Sequence, residues 1–146
     1  MTIRSAHVGD LDVVATLFDA YRRFYRMTGD LEAARHFLRY RIERGESVVF
    51  VAFENGNAVG FTQLYPSFSS GAARRIFILN DLYVVPEARH RRVGKALLEA
   101  AAEFGRRNGA ARLTLSTALA NSTAQALYER SGWKRDSVFC VYNLPL

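Results

Sequence analysis

The sequence predicts one α/β domain, with a mixed, mostly antiparallel central sheet, one parallel β-α-β crossover and about four flanking helices. Three observations predict it. The 146 residues are near the commonest size of a single domain. Apolar residues recur first at helical and then at strand-like spacings. A strand pattern over 75–85, a helical pattern over 93–108 and a second strand pattern over 112–117 follow in sequence. Parallel neighbours require such a crossover.

Each element has its local reason. Residues 2–7 read as a first strand. Gly9-Asp10 opens a helix with Leu11, Val14, Leu17, Phe18, Tyr21 and Tyr25 at three- and four-residue steps. Thr28-Gly29-Asp30 breaks it, and Asp30 is an N-cap for a second helix carrying Leu31, Ala34, Phe37, Leu38 and Ile42. Gly45 ends that helix. Residues 47–53 and 58–65 are rich in Val and Phe, and Asn55-Gly56 between them suits the positive φ of a hairpin turn. Residues 66–71 read as a loop and 75–85 as a central strand, stopped by Pro86-Glu87. Val93, Leu97, Ala101 and Phe104 form one stripe of a helix over 93–108, with Gly109 as its stop. A short strand over 112–117, a helix over 122–131 ending at Gly132, and two strand-like pieces within 133–144 complete the order β-α-α-β-β-β-α-β-α-β-β.

No repeat, low-complexity run or linker interrupts this order, so residues 1–146 read as one domain. With 49% hydrophobic and 23% charged residues, the composition is that of an ordinary globular protein. No apolar run is long enough to span a bilayer, and the first ten residues carry no signal-peptide core. A cytoplasmic, reducing setting is the expectation, with no membrane partner. The single cysteine, Cys140, has no internal disulfide partner and is expected as a small apolar core residue. His7, His36 and His90 show no metal-ligand spacing, so no metal is expected. The net charge of +6 favours anionic partners such as phosphates and nucleotides.

The charge concentrates where chemistry is expected. The strand over 75–85 runs through Asn80-Asp81-Leu82-Tyr83-Val84 into Arg89-His90-Arg91-Arg92-Val93-Gly94-Lys95 and then into the helix. The first turn of a helix has unpaired N–H groups and a positive dipole end, so it binds anions. Gly94 allows close approach of a ligand, and Arg89, Arg91, Arg92 and Lys95 supply four cations. This arrangement suits a pyrophosphate. A solvated basic helix start is the structural alternative. No Walker A pattern and no G-x-G-x-x-G opening a βαβ unit is present.

Asn121 and Tyr128 are seven residues apart, close to two helical turns, so they share one side about 10 Å apart along the axis. In isolation the pair also reads as a cap and a core aromatic.

Together the two segments resemble the GCN5-related N-acetyltransferase (GNAT) superfamily. In that family Arg/Gln-x-x-Gly-x-Gly/Ala after a strand holds the pyrophosphate of coenzyme A. An Asn, a Tyr seven residues on and Gly-Phe or Gly-Trp follow. Arg89 to Gly94 resembles the first pattern, and Asn121, Tyr128 and Gly132-Trp133 resemble the second. Arg92 stands where the first motif glycine is expected. Its N–H would still be available if its φ is negative.

The resemblance implies a GNAT fold and acetyl-CoA as co-substrate. It implies that the backbone of Leu82, Tyr83 and Val84 pairs with the pantetheine arm, where a splay from the strand over 112–117 admits the thioester. An N–H near Leu82 or Tyr83 would polarise the thioester carbonyl. The amides of His90, Arg91, Arg92, Val93, Gly94 and Lys95 would hold the pyrophosphate, with Arg89 beside them. Asn121 and Ala124 would bind the pantetheine, and Tyr128 would protonate the leaving thiolate. Pairing of the last strands across a homodimer is also known among relatives.

The implied reaction is attack of a primary amine on the thioester. Deprotonating an alkylamine at pH 7 costs about 4.6 kcal/mol, so a base is useful. The segment is nearest the diamine acetyltransferase-like branch, in which Glu-Asp stands at the position of Asn80-Asp81. Asn80 cannot take a proton. Asp81 is the candidate base, although strand alternation points Asn80 and Asp81 to opposite faces. The missing Glu and the basic surface disfavour a polycationic acceptor. Tyr21, Phe24 and Tyr25, with Arg22, Arg23 and Arg26, are expected at the acceptor mouth. Tyr21, Tyr25 and Asn80 are the candidate substrate contacts, and a small amine or amino acid bearing a carboxylate is the expected acceptor. An acyl-CoA-binding module without turnover, and an enzyme acting on a protein amine, are the alternatives. Nucleic acid is not the expected partner, because no recognised motif accompanies the basic patch.

Overall fold

A computed structural model describes residues 1–146. Its elements are β1 (Thr2–Ser5), α1 (Leu11–Phe24), α2 (Leu31–Glu43), β2 (Val48–Glu54), β3 (Asn57–Ser69), β4 (Arg74–Val84), α3 (Val93–Arg107), β5 (Leu113–Thr114) and α4 (Ser122–Arg130). The sheet runs β1-β2-β3-β4-β5. Its first three pairings are antiparallel, and β4 pairs with β5 in parallel across the α3 crossover. The chain divides into one unit over residues 1–116 and a second over 117–146.

Local chemistry sets the ends of these elements. Asp30 accepts a hydrogen bond from the Ala33 N–H at 3.0 Å, which caps α2. Asn55 and Gly56 both have positive φ, 50° and 78°, and close the β2–β3 hairpin.

In the first unit, alternation divides the sheet's side chains between two cores. Val49, Val51, Phe61 and Tyr83 pack with Leu11, Val14, Leu17, Phe18 and Leu38 of α1 and α2. Phe50, Ala52, Leu82 and Val84 pack with Val93 and Leu97 of α3. Full burial of a Leu or Phe stabilises by about 1.5–3 kcal/mol, so the two faces are tightly specified.

Three expectations need correction. Residues 66–69 are strand rather than loop, because β3 continues to Ser69. β2 stops pairing at Leu64, so beyond it that side of β3 is an edge, where the missing N–H of Pro66 costs nothing. Residues 133–146 contain no strand, because within this chain they find no ladder partner. A turn follows Asp136 instead, whose carboxylate accepts from the Val138 and Phe139 N–H groups at 2.8 and 3.0 Å. Cys140 lies in this segment and is exposed, not in the core.

Candidate active site

β4 carries one residue more than β3 requires. Gln63 pairs with Asp81 and Leu64 with Leu79, so Asn80 has no partner and forms a β-bulge. The bulge inverts the strand's facing. Before it, Phe77 packs on Phe104 of α3, with ring centroids 5.1 Å apart. After it, Leu82 and Val84 take the α3 side while Tyr83 joins the α1 side. Asp81 is thereby turned toward α1. The expectation that Asn80 and Asp81 point to opposite faces fails for the same reason. At a bulge the alternation lapses, and Asn80 Nδ2 donates to Asp81 Oδ1 at 3.2 Å.

β4 is also open on its other edge. Only Phe77 and Ile78 pair with β5, so residues 79–84 have no ladder on that side. Val85 N–H donates to Val59 C=O. Alternation therefore directs the polar groups of Tyr83 toward β3, and those of Leu82 and Val84 toward the open edge. Tyr83 offers a side chain here rather than the backbone expected of it. The Val84 C=O accepts from Arg89 Nε at 3.0 Å, which leaves the Leu82 and Val84 N–H groups facing out.

The turn into α3 follows directly. Arg89 N–H closes on Pro86 C=O, and Ala96 N–H is the first amide bonded back into the helix, to Arg92 C=O. The six amides between them, from His90 to Lys95, donate to no group of the protein. His90 and Arg92 have φ of 64° and 66°. Left-handed residues in such a turn aim successive N–H groups into one concavity, an anion-binding nest. The condition of a negative φ at Arg92 is thus not met, yet its N–H stays unbonded. Arg92 adopts the conformation that glycine favours, because the turn requires it there.

The four cations divide their work. Arg89 stacks on Phe24 and Tyr83, with its guanidinium 5.0 and 5.8 Å from the ring centroids. Arg91 pairs with Glu54 at 3.2 Å and donates to the Glu87 C=O. Lys95 lies 3.7 Å from Glu99. Among the four, Arg92 alone is exposed with no protein partner, so the turn carries one free guanidinium rather than four cations.

Asp81 is 3% exposed. It accepts from Gln63 Nε2 at 2.7 Å, from Asn80 Nδ2 and from the Tyr21 hydroxyl. Burial raises its pKa above the usual carboxylate range, although these donors oppose the shift. Tyr21 packs among Phe18, Tyr25, Phe61 and Tyr83. Phe24 and Tyr25, 54% and 44% exposed, bring this aromatic cluster to the surface. Sequence reasoning placed Tyr21 and Asp81 in the site but missed that they touch. It also missed Gln63, which no motif distinguishes.

In the second unit, Asn121 Oδ1 accepts from Ala124 N–H at 3.2 Å and caps α4. The Tyr128 and Trp133 rings are 6.1 Å apart, and Trp133 N–H donates to the Tyr128 C=O. The cap consumes one acceptor of Asn121 and leaves its Nδ2 donors.

The bare amides, the free guanidinium and the open strand edge together fit a ligand with a diphosphate and an extended amide-bearing arm. The acetyltransferase (GNAT) family model matches residues 14–133. The chain is 49% identical to the uncharacterized N-acetyltransferase YhfO of Bacillus subtilis (strain 168), over 99% of each protein. It superposes on the crystal structure of a probable acetyltransferase with a TM-score of 0.95 and 42% identity, covering 100% of this chain and 98% of that one. The aminoglycoside N-acetyltransferase AAC(6')-Iy, solved in complex with CoA, shares the fold at a TM-score of 0.84 and 19% identity, over 99% and 95% of the two chains. No helix is long and apolar enough to cross a membrane, and no cluster of candidate metal ligands is present.

Proposed function

The chain belongs to the acetyltransferase (GNAT) family, and from that premise we propose that it acetylates the primary amine of a small molecule, an amino acid or simple amine. Acetyltransferases of this family use acetyl-CoA, which supplies an activated acetyl thioester. The observation that carries the reading is the run of six unpartnered amides, 90–95, beside the unpaired edge of β4. In this reading those amides and Arg92 hold the diphosphate, and the edge groups of Leu82 and Val84 take the pantetheine arm. The Leu82 N–H is aimed at the carbonyl oxygen, where a fixed donor stabilises developing negative charge. By the family resemblance, Asn121 and Ala124 are assigned to the arm and Tyr128 to protonation of the leaving sulfur. We read residues 1–146 as one catalytic domain, which the span of the family match supports.

The acceptor end is aromatic and basic. Phe24 and Tyr25 are exposed beside Arg22 and Arg26, neither of which has an ion-pair partner. This favours an amine that also carries a negative group over a polyamine. The test is acetyl-CoA binding by calorimetry, then thiol release with L-phenylalanine, 2-aminoethylphosphonate, putrescine, kanamycin and a peptide with a free N-terminus. Turnover is expected with the first two. Tyr128→Phe is expected to lower kcat about 100-fold with little change in cofactor affinity. If it changes neither, the acid role is wrong. Asn80, in a position where a proton acceptor is useful, favours a second reading: an acyl-CoA-binding module without turnover. Tight binding with no thiol release across the panel would select it, and release with the peptide alone would move the acceptor to a protein amine.

A further inference from the structure

We propose that Tyr21 and Asp81 form a two-residue proton relay, in which Tyr21 touches the attacking amine and Asp81 is the buried terminus. The proposal rests on the amine-acetylating reading above. Asp81 cannot meet the acceptor itself, since it is 3% exposed and enclosed by Gln63, Asn80 and Tyr21. Tyr21 is the member of this set that is both half-buried and continuous with the exposed rings of Tyr25 and Phe24. Its O–H donates to Asp81, and a phenol oxygen that donates its proton can still accept one from a second group.

The surroundings suit both protonation states of Asp81. Gln63 is fully buried, and its Oε1 has no hydrogen-bond partner. While Asp81 is ionised, Gln63 Nε2 donates to it at 2.7 Å. When Asp81 gains a proton, a half-turn of the amide presents Oε1 to accept the new O–H. An amide is the neutral group that serves either state. The other ionisable neighbours do not compete for the proton. The Tyr65 phenol of β3 is pushed well up by burial and by the Asp81 charge. Arg41 of α2 faces Tyr65 and pairs with Glu46 at 3.4 Å. Burial also makes Asp81 a better proton acceptor than an exposed carboxylate.

The step balances. An ammonium N–H bond breaks and its proton goes to the Tyr21 oxygen, while the Tyr21 O–H proton passes to an Asp81 oxygen. The lone pair freed on nitrogen forms the new C–N bond. The C–S bond breaks with its electron pair on sulfur, which takes up the second proton that the nitrogen sheds as it becomes an amide. Asp81 returns its proton outward through Tyr21.

The test compares two kinds of acceptor in the full-length protein and its Tyr21→Phe and Asp81→Asn variants. L-phenylalanine and 2-aminoethylphosphonate are protonated at pH 7, whereas hydroxylamine is neutral and needs no base. The relay predicts that Y21F loses about 100-fold in kcat with the ammonium probes but less than 5-fold with hydroxylamine. Acetyl-CoA affinity should be unchanged. The ammonium rates of Y21F should then keep rising with pH toward each amine's own pKa, about 10.4 for an alkylamine and lower for an α-amine. Independently of turnover, a ¹³C-carboxyl NMR titration of the ligand-free protein should show Asp81 titrating higher in Y21F, because a donor to its ionised form is gone. Equal losses with both kinds of acceptor, loss of acetyl-CoA affinity, or no loss at all would overturn the relay. Y21F removes one half-buried hydroxyl and is expected to fold even if D81N does not. Acetyl-CoA binding by wild type with no turnover of any probe is the distinct result that defeats the underlying enzyme reading.

Discussion

Arg92 permits a test in which backbone strain and charge separate. It holds φ 66° and ψ 11° at the entrance to α3. A side chain in this left-handed region costs about 1–2 kcal/mol. Glycine removes that cost but returns about 0.4–1 kcal/mol through its freer unfolded state. Arg92→Gly should therefore stabilise the ligand-free protein by about 0.5–1 kcal/mol, a Tm rise of about 1–4 °C for a chain of this size. Arg92→Ala keeps the strain and should give no rise. Both variants lose the one cation of the 89–95 turn that has no protein partner. Against a phosphate 4 Å away in water that charge contributes about 1 kcal/mol, or about fivefold in Kd. The two variants should bind CoA about equally more weakly at low salt, and the deficit should shrink as salt screens it. Thermal unfolding without ligand and calorimetry with CoA read the two effects apart. A Tm for R92A equal to or above that of R92G refutes the strain argument.

Two further predictions concern the scaffold. Gly60→Ala would place a Cβ 2.7 Å from the Tyr83 carbonyl oxygen and 3.3 Å from Leu97 Cδ1. The first obstacle is backbone, so β3 and β4 must shift at a cost of about 1–3 kcal/mol, and differential scanning should show a Tm lower by about 5 °C; an unchanged Tm would mean the strands have slack there. Asp10 accepts from both terminal nitrogens of Arg4, at 2.9 and 2.8 Å, and from the His7 N–H, and these hold its pKa below the usual carboxylate value of 3.8. A depressed folded pKa adds stability above the unfolded pKa and loses it as pH falls through the folded one. The stability gap between wild type and Asp10→Asn should thus be constant from pH 7 to about 5 and narrow below about pH 4, and a gap that stays constant in acid would exclude this linkage.

What the sequence disclosed was the chemistry that acts within a few residues. Asp30 caps and Asn55-Gly56 turns because their side chains and backbone preferences act locally. The Arg89–Lys95 turn was legible for the same reason. What escaped depends on the neighbouring strand. Pro66 reads as a loop until β2 is seen to end at Leu64. Residues 133–144 have a strand's composition, but strand is a paired state, and no partner exists within the chain. The engagements of Arg89 with Val84 and Phe24, and of Arg91 with Glu54, likewise join residues far apart in sequence or on different elements.

The bulge shows why this gap falls on the site itself. A strand has one decision at each residue, which face to present, and alternation answers it from sequence only while the count on both strands agrees. Asn80 breaks that count by one. With strict alternation from Phe77, Asp81 and Tyr83 would lie against α3, and Leu82 and Val84 against α1. The apolar pattern of β4 alone does not exclude that, since Leu82, Tyr83 and Val84 can be buried on either side. The choice is made by α1, which brings Tyr21 and Phe24 to meet Asp81 and Tyr83, and by α3, which brings Val93 and Leu97 to meet Leu82 and Val84. One unpaired residue thus places a buried acid against Tyr21 of the aromatic cluster. It does so just beyond Ile78, where β4 also loses its ladder with β5.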